Sequence, residues 1–97
     1  MTKREIEKLG QSGGRSDVDE FHGNLCREVN DDGDYLDDDE VREKLLATIA
    51  SSHLSWDEAA RGADAALFNK VRGAKNVERY YTAYNRAAID RVHKLTA

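Results

Sequence analysis

Residues 76–95 read NVERYYTAYNRAAIDRVHKL. Val77, Tyr81, Tyr84, Ala88, Val92 and Leu95 recur every three or four positions, which places them on one helical face for about five turns. Ile89 points to the opposite face. No residue in the whole chain is proline, so the strongest helix breaker is missing. No stretch alternates apolar and polar residues for long enough to predict a strand. The fold class expected from this segment is all-α.

Working upstream, Ser55 and Glu58 form an S-x-x-E capping box. Trp56, Ala60, Ala63, Leu67 and Val71 then make a stripe, which predicts a helix over about 56–72 that ends at Gly73. Before it lies a predicted helix over about 38–52. Asp37 suits its N-cap and Glu40 its third position, while Leu36 and Val41 form a hydrophobic staple. Its inner face carries Val41, Leu45, Thr48, Ile49 and Ser52. Val18, Phe21, Leu25 and Val29 predict a further helix over about 17–29. Residues 2–9 suit a short helix with Ile6 and Leu9 inward, stopped at Gly10. Gly10-Gln-Ser-Gly-Gly14 reads as a flexible joint. The expected architecture is a compact bundle of about four helices with a short N-terminal helical arm. Residues 1–15 form the flexible or short-helical arm and residues 16–97 a single helical domain.

The chain's 97 residues are 39% hydrophobic and 35% charged, and its mean hydropathy is -0.78. A chain this short buries only about 60–65% of its unfolded surface, so the core is thin. The single cysteine excludes an internal disulfide, and a reducing, cytoplasmic setting is expected. No apolar run reaches the length of a membrane span. The net charge of -4 hides an asymmetry. Residues 1–60 carry 16 Asp/Glu against 7 Lys/Arg, whereas residues 61–97 carry 3 against 8.

Residues 28–39, Glu-Val-Asn-Asp-Asp-Gly-Asp-Tyr-Leu-Asp-Asp-Asp, resemble an EF-hand or dockerin calcium loop. That resemblance implies calcium ligands among Glu28, Asn30, Asp32, Asp34 and Asp39, around the turn at Gly33. The segment departs from the pattern at its first position, which is Glu, and at its twelfth, which is Asp. Glu40, Glu43, Lys44 and Ala47 also stand where the outgoing helix of an EF-hand is apolar. Helix capping explains the same acids without a metal.

Eight acids lie within 13 residues: Asp31, Asp32, Asp34, Asp37, Asp38, Asp39, Glu40 and Glu43, opposed only by Arg42. Such a cluster can imitate nucleic-acid phosphates. In composition it resembles the small acidic inhibitors of phages and plasmids. The principal functional expectation is a protein-binding module, an inhibitor or adaptor of a nucleic-acid-acting enzyme, with a nucleic-acid-binding protein as its partner. One alternative is direct DNA binding through residues 55–73, which resemble a helix-turn-helix, with Arg61, Asn69, Lys70 and Arg72 reaching phosphates and base edges. The other is the calcium loop.

The basic residues Lys75, Arg79, Arg86, Arg91 and Lys94, interleaved with Tyr80, Tyr81 and Tyr84, could bind nucleic acid, although the tyrosine spacing fits core packing. His22 and Cys26 could share a metal, but zinc needs two more ligands, and Cys26 is expected to be a small buried residue. No catalytic motif is found. Neither enzymatic activity nor a cofactor is expected.

Overall fold

The computed structural model describes residues 1–51 and 71–97. Within them are three helices: α1 (Lys3–Leu25), α2 (Asp38–Ala50) and α3 (Ala74–Leu95). The all-α expectation holds over these residues, and the count there is three rather than four. The helix expected at 56–72 lies almost wholly outside the described residues, and with it Trp56, Ala60, Ala63 and Leu67 of its stripe. No helix among the described residues is long and apolar enough to cross a membrane.

The largest correction concerns the N-terminus. A helix expected only from residue 17, preceded by a joint, is one continuous helix of 23 residues. It begins at Thr2, whose side chain accepts a hydrogen bond from Glu5 N at 3.1 Å. This is the start of a T-x-x-E capping arrangement. Its glycines are interior, and each costs about 1 kcal/mol relative to alanine in helix propensity. Tertiary packing offsets that cost. Gly10 and Gly14 are buried against α3, where a Cβ on Gly10 would meet the Tyr80 carbonyl oxygen and one on Gly14 the Tyr84 carbonyl oxygen. Next in distance are Ala83 Cβ at 3.1 Å and Ala88 N at 3.2 Å. Glycine is what lets the two backbones come this close.

These contacts fix direction. Residue 10 lies beside 80 and residue 14 beside 84, and Asp19 pairs with Arg91. α1 and α3 therefore run parallel. α2 runs back between their ends, because Arg42 near its start bonds to Thr96 just beyond the end of α3.

The core lies where the three faces meet. Ile6 and Val18 from α1, Val41, Leu45 and Ile49 from α2, and Val77, Tyr81, Tyr84, Ala88 and Val92 from α3 are buried, together with Val71. Phe21, Leu25, Leu36 and Leu95 are partly buried against them. Tyr80, Tyr81 and Tyr84 are all buried, and their rings pack together, with Tyr80 and Tyr81 edge-to-face at 5.2 Å. The tyrosines of α3 are thus core residues. Tyr84 keeps its hydroxyl satisfied by donating to Asp17 Oδ2 at 2.6 Å, as a buried tyrosine must.

α1 also stops earlier than the expected residue 29. Cys26 caps it, and Arg27 N and Glu28 N donate to Asn24 O and Leu25 O in a closing turn. Val29, expected in the core, is instead 57% exposed. Turn chemistry at Asn30 overrides the helical phase here, because Asn side chains offer the backbone partners that compete with a helix.

Candidate functional site

The acidic segment spans the connection from α1 to α2 and the first turns of α2. Its geometry starts at Asn30. The Asn30 side-chain oxygen accepts from Asp32 N at 3.0 Å and Asp34 N at 3.1 Å. Asn30 N donates to Asp34 O at 2.7 Å, and Gly33 N donates to Asn30 O at 3.0 Å. Gly33 has φ +82°, a left-handed conformation that side chains resist. An antiparallel bridge between Val29 and Tyr35 closes the loop.

α2 then starts as its capping signals predict. Asp37 accepts from Glu40 N at 2.8 Å. Asp38, Asp39 and Glu40 occupy the first turn, where the partial positive charge of the helix end favours carboxylates. Replacing Asp37 with alanine should cost about 1 kcal/mol and lower the melting temperature by roughly 4–8 °C, as thermal denaturation followed by circular dichroism will show. Asp37→Asn keeps the cap and should leave the melting temperature nearly unchanged.

Seven of the eight acids are exposed and Glu40 is half-buried. Among the described residues, only Asp39 of the eight makes an ion pair, with Arg42 Nη1 at 3.1 Å. Arg42 is the one cation within the cluster, and most of its hydrogen bonding is directed elsewhere. Its Nε donates to Thr96 Oγ1 at 3.0 Å and its Nη2 to the Thr96 carbonyl. Thr96 is buried, so the guanidinium stitches the start of α2 to the end of α3. The cation that the sequence sets against the acids is drawn into the fold and leaves the others facing water.

The five residues of the calcium-loop resemblance are not gathered. Asn30 Oδ1 is committed to backbone N–H groups, Glu28 pairs with Lys44 at 3.4 Å, and Asp39 pairs with Arg42. Among the described residues, no three His, Cys, Asp or Glu side chains are grouped to hold a metal. His22 and Cys26 do meet, with Sγ 3.6 Å from Nε2. Cys26 is exposed, against the expectation that it is buried, because α1 ends at Leu25 and turns it outward.

Of the alternative DNA-contacting set, Arg61, Asn69 and Lys70 lie outside the described residues. Arg72 is exposed with φ 48°, and its carbonyl accepts from Asn76 Nδ2 at 2.8 Å. The cations of α3 are dispersed. Arg91 donates to Asp19 at 2.8 Å; this hydrogen bond, with the charge of the carboxylate, raises its pKa above the ordinary arginine value. Lys94 pairs with Asp90 at 3.0 Å. Lys75, Arg79 and Arg86, with Arg15 of α1, line an open groove between α1 and α3, but Glu7, Glu78 and Asp90 line it too. Its mixed sign selects no ligand charge.

Comparison with known protein families, characterised proteins and solved structures finds no match for this chain. The charge density and the helix start at Asp37 are legible in the sequence. Tyr35, 72% exposed and opposite Val29, was missed. The signal that could have found it is Asn30-x-x-Gly33, a turn that closes two flanking apolar residues onto each other.

Proposed function

We propose that the chain is a small helical protein-binding module that acts through the acidic surface at 31–43, as an inhibitor or adaptor of a nucleic-acid-acting enzyme. One observation carries this reading. The eight acids make a single ion pair among the described residues, because Arg42 is held by Thr96. Closely spaced carboxylates on a defined scaffold offer a basic groove the charge pattern it meets on a nucleic acid.

The test is affinity capture from the native host with the wild-type chain and with a variant carrying Asp34, Asp37, Asp38 and Asp39 replaced by Asn. The wild type should retain a nucleic-acid-binding protein that added duplex DNA displaces. The variant should lose that protein while keeping its helical spectrum, since Asn caps a helix as well as Asp does. Equal capture by both chains, or capture indifferent to DNA, rejects the reading.

A further inference from the structure

Val29 and Tyr35 are large apolar side chains left in water, at 57% and 72% exposure. A single exposed apolar residue is ordinary, but these two are directly opposed across an antiparallel bridge. Side chains so opposed lie on one face, with Cβ atoms about 4.5–5.5 Å apart, so they form one patch. The loop that presents them is closed by the hydrogen bonds of Asn30 and the left-handed Gly33. A partner meets a surface already ordered, which lowers the cost of binding. Asp31, Asp32 and Asp34 lie between the two residues in sequence, exposed and without an ion pair among the described residues.

We infer that Val29 and Tyr35 are the apolar anchor of the acidic surface, and that the occupant is a protein with an apolar pocket rimmed by lysine or arginine. The inference rests on the protein-binding reading above and narrows it. A surface that imitated phosphates by charge alone would have no use for an exposed apolar pair at the base of its acidic loop. The carboxylates repel nucleic acids and anionic membranes, and they suit a basic rim. Tyrosine is among the residues that dominate binding energy at the centre of an interface, inside a polar ring.

The experiment titrates the full chain with two synthetic peptides of equal length and charge, one interleaving lysine with leucine, the other lysine with serine. At about 0.3 M salt, where attraction between exposed charges is strongly screened, the wild type should prefer the leucine peptide by roughly tenfold, the loss typical of an interface anchor. Tyr35→Ala should bind both peptides equally and keep its helical spectrum. Equal binding of the two peptides by the wild type, or a preference that survives Tyr35→Ala, overturns the anchor. The acidic reading is judged separately at low salt. It stands if the four-Asn variant loses both peptides, and falls if that variant binds as the wild type does. Sedimentation that shows a wild-type dimer dissolved by Tyr35→Ala would also overturn the inference, since a second copy would then be the occupant.

Discussion

Gly14→Ala and Gly10→Ala should each destabilise the protein by about 1–2 kcal/mol net, the opposite of what helix propensity predicts. Both positions lie in the interior of α1, and on propensity alone alanine would add about 1 kcal/mol of stability at either. The new methyl group instead meets a main-chain carbonyl of α3: Tyr84 O from position 14, Tyr80 O from position 10. A carbonyl within a helix cannot swing aside as a side chain can, so α1 and α3 must separate. Overpacking of this kind costs about 1–3 kcal/mol, occasionally more, and separation also loosens the contacts of Ile6 and Val18. Gly23 supplies the control. A Cβ there meets nothing within 4 Å, so Gly23→Ala should stabilise by about 0.4–1 kcal/mol. Gly13 is intermediate, because its Cβ would crowd Tyr80 Oη, the far end of a side chain, at 2.5 Å, while Tyr80 Cζ at 3.5 Å and Tyr84 Cδ2 at 3.6 Å are at ordinary contact distance. Urea denaturation of the four variants measures the order. If Gly10→Ala and Gly14→Ala match Gly23→Ala, the close approach of α1 to α3 is wrong.

The same glycines show where sequence reading stopped. Local signals placed α2 and α3 to within two residues at each end, because capping residues and apolar spacing act within a turn or two. The same signals break α1 in two, because Gly10-Gln-Ser-Gly-Gly14 is a poor helix by local measures. Its compensation lies some 70 residues away, in the backbone of α3. Two clues were nevertheless present: Thr2 and Glu5 at capping-box spacing, and the four-residue row Ile6, Gly10, Gly14, Val18 on one face. The acidic site was legible as charge and as a helix start. The role of Arg42 was not. In sequence it sits among acids and reads as their partner, while its bonds to Thr96 span 54 positions. Val29 fits a helical phase and a loop bridge equally well, and only the competition from Asn30 decides between them.

Leu45→Ala should lower stability by about 2–5 kcal/mol, whereas Leu46→Ala should cost clearly less. Leu45 is fully buried, and removing its side chain forfeits burial and leaves a cavity. Leu46 only edges the core. A domain with about 5–15 kcal/mol of stability loses a large share of it at the first position. The consequence reaches the acidic surface, because α2 is a short helix of 13 residues held to the rest of the fold by Val41, Leu45, Ile49 and Arg42. Once Leu45 is lost, α2 undocks more often and its carboxylates no longer share a fixed arrangement. Binding to a basic peptide should then weaken with rising temperature in step with the unfolding curve, and recover on cooling. The four-Asn variant should behave differently, binding weakly at every temperature while melting nearly as the wild type does. Parallel melting and binding curves for the two variants separate loss of the scaffold from loss of the charge. If Leu45→Ala bound weakly while still fully folded, the display of acids would not depend on the docking of α2.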